Sequence, residues 1–231
     1  MSYMQSARLG EYTVYFNNSE EYHRIKREVW GANCYYVELE KESPKIMDAG
    51  AHIGITSLYF KKLWPKAKIL ALEPLLANYQ LLEKNVFVNQ VDIEIENVAL
   101  AHQEGVARFY YDKSDSAWYS TAGFNPGAWN GDQESEETQV LTKPLSHYLG
   151  EEWDLIKIDI EGAEDNVIFE ARKYLTKCPQ YLIEFHPIEH HGMERIIAVF
   201  EELGYMVQVS KNGKIVPWRK AKGMSLIHAQ K

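Results

Sequence analysis

Cysteine is almost missing from this chain: Cys34 and Cys178 are the only two in 231 residues. Two isolated thiols build neither a disulfide framework nor a zinc site, so both are expected as buried free cysteines. Basic excess is missing as well. Lys and Arg number 25 against 33 Asp and Glu, a formal charge of −8 that argues against a chain gripping nucleic acid through its phosphates. No run of about 18 apolar residues occurs. The amino end, Met1-Ser2-Tyr3-Met4-Gln5-Ser6-Ala7-Arg8, has no apolar leader-like segment. These absences lead to the expectation of a soluble, cytoplasmic protein with neither a membrane nor a nucleic acid as partner. No internal repeat is visible, and no low-complexity tract beyond the acidic run Asp132 to Glu137.

What remains is an ordinary globular composition, 45% hydrophobic and 25% charged, with length enough for one large domain and a sizeable core. The most informative stretch runs from Lys45 to Gly54, Lys-Ile-Met-Asp-Ala-Gly-Ala-His-Ile-Gly. Ile46 and Met47 end a short apolar run after Pro44, as a buried strand does. After Gly54 the period changes: Ile55, Leu58, Tyr59 and Leu63 fall on one helical face. Asp48 therefore stands at a strand tip, and Gly50 and Gly54 bracket a tight turn into a helix, where a ligand could approach without meeting a Cβ. Such a turn is a nucleotide-site geometry. The spacing Gly50-x-x-x-Gly54 is not the dinucleotide Gly-x-Gly-x-x-Gly, and no Lys-Ser/Thr pair follows for a triphosphate. An acid heading the turn repels pyrophosphate but suits a ligand with sulfonium or ammonium charge, which favours S-adenosylmethionine.

Residues 1–43 precede the first strand of this unit and read as a flank or lid without chemistry of its own. Tyr22, Ile25 and Val29 keep helical spacing after the capping stretch Asn17-Asn18-Ser19, and Tyr35 to Leu39 could be a strand. Beyond the helix, Ile69 to Leu72 is apolar on both faces, as a covered parallel strand is. It ends in Glu73-Pro74, and Glu73 lies 25 residues past Asp48, where a doubly wound fold presents an acid to ribose hydroxyls. Leu75, Tyr79, Leu82 and Val86 mark another helix. Ile93 to Leu100 reads as a third strand near an edge, and Val106 to Tyr111 as an extended run able to pair antiparallel. Residues 112–137 are polar with Trp118, Tyr119, Phe124 and Trp129 among them, which reads as a substrate-side loop.

Asp154 to Glu164, Asp-Leu-Ile-Lys-Ile-Asp-Ile-Glu-Gly-Ala-Glu, is the second informative stretch. Lys157 lies inside a buried strand and Asp159 at its tip, two residues on and so on the same side. A lysine there needs a carboxylate partner, and Asp159 or Glu161 is the obvious one. Val167 to Leu175 follows as a helix. Tyr181 to Pro187 is a fifth strand with Glu184 and His186 sharing a face, and His190 and His191 fall at a helix start. A helix at Met193 to Phe200 stops at Gly204. Tyr205 to Val209, the Asn212-Gly213 turn, Ile215-Val216 and Met224 to Ala229 then form closing strands.

Strand and helix alternate five times before this carboxyl-terminal hairpin. The pattern predicts an α/β, doubly wound, mostly parallel sheet with a reversed edge strand at the C-terminus, spanning residues 44–231. Four pieces of it carry a family resemblance: Asp48-Ala49-Gly50-Ala51-His52-Ile53-Gly54, Glu73-Pro74, Asn97-Val98-Ala99 and Ile156 to Glu164. On these the chain resembles the FkbM-type S-adenosylmethionine-dependent methyltransferases, with their seven-stranded Rossmann-like sheet. His52 stands where that family commonly has Asn. The resemblance implies that Gly50 and Gly54, with Ala51, His52 and Asp48 nearby, border the methionine and adenosine moieties. It implies that Glu73, beside Pro74, holds the ribose and that Asn97 and Val98 border adenine. It also implies O-methylation of a sugar, polyketide or other small hydroxylated metabolite.

Methyl transfer needs an acceptor oxygen about 3 Å from the methyl carbon and a group to take its proton. Asp159 and His186 are the candidate bases, with Glu184 beside them and Lys157 positioning a carboxylate or the substrate oxygen. A divalent metal on Asp159, Glu184 and His186 is the less favoured alternative. Three rivals share parts of this pattern: a nicotinamide oxidoreductase, which fails on glycine spacing; a non-catalytic adenosine-binding subunit; and an RNA methyltransferase, disfavoured by the acidic balance. Oligomeric state and the identity of the acceptor stay open at this level.

Overall fold

A computed structural model describes residues 4–112, 121–126, 135–188 and 192–231. Its centre is an eight-stranded sheet. In chain order the strands are β3 (Lys45–Ala49), β4 (Lys68–Leu72), β5 (Ile93–Glu96), β9 (Leu155–Ile158), β10 (Gln180–Phe185), β11 (Met206–Lys211), β12 (Lys214–Ile215) and β13 (Ser225–Gln230), and across the sheet they lie β12-β11-β13-β10-β9-β3-β4-β5. The five strands from β10 to β5 are parallel, and β13 runs antiparallel to both β10 and β11. The doubly wound, mostly parallel expectation holds. The reversed strand lies inside the sheet, with the β11–β12 hairpin, turned at Asn212 and Gly213, outside it.

The apolar runs are buried on both faces because helices cover both. Met47, Ala49, Leu70, Leu72, Ile156, Ile158, Tyr181 and Ile183 point to one face, under α5 (Glu164–Ala171) and α6 (Met193–Glu202). Ile46, Ile69, Ala71, Leu155 and Leu182 point to the other, under α2 (Ile55–Leu63) and α3 (Leu76–Asn89). The two-residue period of a strand puts Asp48, Lys157, Asp159 and Glu184 on this second side.

Residues 4–43 contribute to that second core. A hairpin of β1 (Gln5–Leu9) and β2 (Tyr12–Phe16), which the sequence reading did not place, packs against α3. Asn89 and Asn85 of that helix bond the backbone of Thr13 and Tyr15 as donor and acceptor, closing strand groups that would otherwise need another strand. Helix α1 (Ser19–Ile25) begins where expected, with the Asn18 side chain accepting from the Glu21 N–H, and continues as a wide turn through Gly31. Tyr35 to Leu39 is irregular and carries no ladder, so the expected strand is absent.

A second departure concerns Ile93 to Leu100. Only Ile93–Glu96 joins the main sheet; Ala99–Leu100 is β6 of a separate three-stranded sheet, ordered β6-β8-β7 with β7 (Gly105–Asp112) and β8 (Ser135–Lys143). Strand β7 pairs antiparallel as expected, but its partner β8 takes up residues that had read as loop. Of the anticipated 112–137 loop, Gly123 bridges to Tyr110 and Phe124 meets Phe109 edge-on. Trp118, Tyr119, Trp129, His190, His191 and the first half of the acidic run, 132–134, lie outside the described residues. Cys34 and Cys178 are free thiols. Among the described residues no helix is long and apolar enough to cross a membrane.

Candidate active site

A cleft opens at the carboxyl ends of β3, β4, β9 and β10. Gly50, Ala51, His52, Glu73, Pro74 and Val98 line one end, Lys157, Asp159, Glu161, Glu184 and His186 the other, and Arg24, Ile25, Glu28, Val29 and Tyr35 roof it from the amino-terminal segment.

The turn after β3 is held by protein groups rather than shaped around a ligand. Gly50 has φ +74°, and a Cβ there would lie 1.7 Å from the Asp159 carbonyl oxygen. Gly54 has φ +89°, and its Cβ would meet the Leu82 side chain at 2.7 Å. Both glycines are required by packing and backbone sign, and Gly50 also lines the cleft. Asp48 differs. It is fully buried and absent from the cleft wall: Oδ2 accepts from Ser57 Oγ at 2.6 Å, and Oδ1 lies 3.1 Å from Lys157 Nζ. In the parallel ladder Asp48 sits directly opposite Lys157, so the first partner of this lysine is Asp48, not Asp159 or Glu161.

Lys157 also donates to the carbonyls of Gly50 (2.8 Å) and Ala49 (3.2 Å) and lies 3.6 Å from Asp159 Oδ2. Burial pulls its pKa down, but Asp48 and Asp159 more than offset that and leave it raised. It is a fixed cation tying the tips of β3 and β9 together.

Glu73, at the tip of β4, accepts from the N–H of His52 (2.9 Å) and of Leu75 (3.0 Å), which holds its carboxylate in place while it lines the cleft. Burial raises its pKa; His52 and these hydrogen bonds work against that. Asn97 turns its amide to the Glu73 and Pro74 carbonyls (2.8 and 2.9 Å) and so braces the loop, while Val98 reaches the cleft. His52, with φ +52°, lines the cleft, and neither ring nitrogen has a hydrogen-bond partner among the described residues. Its nearest charged neighbour is Glu21, 3.5 Å away.

At the other end acids crowd. His186 Nδ1 lies 3.0 Å from Glu164 Oε1, which also accepts from the N–H of Gly162 (2.9 Å) and Ile160 (3.3 Å). His186 Nε2 faces Glu161 (3.7 Å), Asp159 (3.8 Å) and Glu184 (4.0 Å). Tyr35 donates its hydroxyl to Glu184 Oε2 and lies 3.3 Å from Asp159 Oδ2. Burial pulls His186 down, but Glu164, Glu161 and Asp159 outweigh it and push the imidazolium up to about 10. Burial, then the charge of Asp159, pushes Glu184 up to about 7. Burial likewise raises Glu161 well above the carboxylate range, with His186 opposing. Asp159, Glu184 and His186 each offer one ligand atom, all within 4.8 Å of one another.

Tyr35 and Glu164 were not anticipated. Tyr35 sits in an irregular segment with no periodicity to single it out. Glu164 was quoted within a motif, and its first-turn helix position is ordinary for an acid.

The fold is shared with the structure of the SAM Dependent Methyltransferase from Agrobacterium tumefaciens, with a TM-score of 0.54 at 11% identity over 98% of this chain and 70% of that one. Residues 48–207 match the family described as "Methyltransferase FkbM domain", and the chain belongs to that family of methyltransferases. Methyltransferase 1 of Beauveria bassiana (strain ARSEF 2860) is 31% identical over 184 residues, 68% of this chain and 71% of that protein. The FkbM methyltransferase structure from Methylobacillus flagellatus superposes with a TM-score of 0.53 at 14% identity, over 84% of this chain and 45% of that one. This chain therefore spans less than half of that protein. The TYW2 structure from M. jannaschii, in complex with AdoMet, gives 0.52 at 12% identity, over 98% of this chain and 84% of that one. At such identities the three structures share the fold and no more.

Proposed function

We propose that the chain transfers a methyl group from S-adenosylmethionine to a hydroxyl of a small metabolite such as a sugar or polyketide. The observation that carries this is the two-ended cleft, with a braced acid and an imidazole facing Glu21 at one end and crowded carboxylates at the other. The residues present fit the cofactor. His52 offers a buried ring nitrogen, Nδ1, with no hydrogen-bond partner among the described residues, which a nucleoside or an amino-acid group supplies. Glu73, with capacity left on each oxygen, suits ribose hydroxyls, and Val98 with Pro74 offers an apolar border for adenine. When bound, the cofactor supplies a sulfonium-activated methyl carbon, so the acceptor oxygen forms a C–O bond as the C–S bond breaks and its electron pair stays on sulfur.

This chain's own residues then have two tasks. The acids at the tips of β9 and β10 receive positive charge favourably, which suits a sulfonium in the cleft. The acceptor proton goes to a carboxylate, Glu184 or Asp159, both of which line the cleft. His186 and Lys157 keep those carboxylates in place.

Calorimetry of the purified chain with S-adenosylmethionine and S-adenosylhomocysteine tests the binding half, with one saturable site expected. Incubation with labelled cofactor and a pool of hydroxylated metabolites tests transfer through a gain of about 14 Da, one CH₂. No heat with either ligand would sink the reading. Heat without a methylated product from any pool would leave a cofactor-binding subunit.

A further inference from the structure

Tyr35 divides the acidic end into two layers. Its hydroxyl engages Glu184 Oε2 and neighbours Asp159 Oδ2, and Lys157 lies on the same side of Asp159. The remaining oxygens, Asp159 Oδ1 and Glu184 Oε1, turn toward His186 Nε2 together with Glu161 Oε2, at 3.7 to 4.0 Å. These gaps are too long for N–H···O hydrogen bonds. They match the spacing of atoms that share one ion: ligands about 2.1 Å from a centre lie roughly 3 to 4.2 Å from one another. We propose that Asp159, Glu184 and His186 bind one divalent cation, with Glu161 at its edge.

Three features support this beyond the presence of acids. The donor set mixes imidazole with carboxylate oxygen, the combination that borderline and hard divalent ions take. The histidine is aimed from behind, its Nδ1 set against Glu164, itself held by two backbone N–H groups; a metal-ligating imidazole is oriented in this way. The three side chains line the cleft, with Asp159 and Glu184 half-buried and His186 buried behind them. Lys157 does not already occupy the place, because its bonds to the Ala49 and Gly50 carbonyls hold it on the far side of Asp159.

The role follows if the methyl-transfer reading holds, and only the role rests on it. An ion between these tips lowers the pKa of a bound hydroxyl. An acceptor with two adjacent oxygens, a vicinal diol or an α-hydroxy acid, completes an oxygen-rich shell best, which narrows the substrate class to chelating alcohols.

The test uses the full chain stripped with chelator and titrated with Mn²⁺, following the free-ion electron paramagnetic resonance signal. S-adenosylhomocysteine binding is measured in parallel, in chelator, as the check on folding. One Mn²⁺ per chain is expected, with binding weakened roughly 10–100-fold in Glu164→Gln and at least as much in Asp159→Asn, Glu184→Gln and His186→Gln, while nucleoside binding persists. Failure to bind Mn²⁺ at millimolar concentration with S-adenosylhomocysteine binding intact overturns the ion site and leaves the methyltransferase reading standing. Mn²⁺ binding that all four variants retain overturns it as well. Stoichiometric Mn²⁺ binding without nucleoside binding keeps the site and removes the proposed cofactor.

Discussion

Two neighbouring regions of the cleft handle charge in opposite ways. Around the turn after β3, each acid is matched: Asp48 by Ser57 and Lys157, Glu73 by two N–H groups and Asn78. At the tips of β9 and β10, Asp159, Glu161 and Glu184 crowd around His186, each 3.7 to 4.0 Å from its Nε2 and so beyond hydrogen bonding to it. A matched buried charge holds a fold, whereas a crowded set is favourable only when a cation or proton joins it. The contrast assigns architecture to the first region and chemistry to the second.

The strongest way to break that contrast is Lys157→Met. The substitution leaves Asp48 buried with Ser57 alone, so a stability loss of about 3–5 kcal/mol is expected in urea unfolding. Adding Asp48→Asn should return a large part of it, because the orphaned charge is then gone. If the single variant unfolds at the wild-type midpoint, Asp48 is not the structural acid described here.

Tyr35→Phe acts on the second region, with a smaller effect. It removes the hydroxyl that holds Glu184 and neighbours Asp159, and the expected cost is about 1.5–3 kcal/mol, as for a bond to a charged group. Methyl transfer should fall roughly tenfold while S-adenosylhomocysteine affinity stays put, since Tyr35 touches the acids and not the turn. Loss of nucleoside affinity instead would place Tyr35 with the cofactor end and blur the division.

How far the sequence reaches follows from which signals are local. The switch from period 2 to period 3.6 at Gly54 is local, and so is the apolar run Ile69 to Leu72; both elements lie within a residue of their expected bounds. Convergence of Asp159, Glu184 and His186 was legible too, because parallel strands end on one side of a sheet. What stayed hidden is non-local. Asp48 faces Lys157 only because β9 lies beside β3, across more than a hundred residues of chain. Tyr35 reaches the acids from an irregular segment, where no periodicity exists to read. Strand β8, Ser-Glu-Glu-Thr-Gln-Val-Leu-Thr-Lys, is mostly polar because its sheet is half exposed, so its first three residues passed for loop and the rest showed no strand pattern.

The smallest predicted effect probes a matched pair outside the cleft, where neither scheme applies in full. Glu96, at the end of β5, meets Lys143 at 2.7 Å and the Tyr148 hydroxyl at 2.9 Å, with less than a third of its side chain exposed. Burial raises its pKa, but Lys143 and Tyr148 outweigh burial and hold the carboxyl below its ordinary 4.5. A carboxyl lowered by folding adds stability that is fully present above the unfolded value and is lost as pH falls through the folded one. Lys143→Met should therefore lower stability near pH 7 by at most about 1 kcal/mol, as partly exposed pairs do. The gap from wild type should close as pH drops below about 4.5, where Glu96 gains its proton in both proteins. Urea midpoints for the two chains across that range give the answer. A gap that persists in acid would mean that Lys143 acts on the Tyr148 ring, whose centroid lies 5.4 Å from its Nζ, rather than through Glu96.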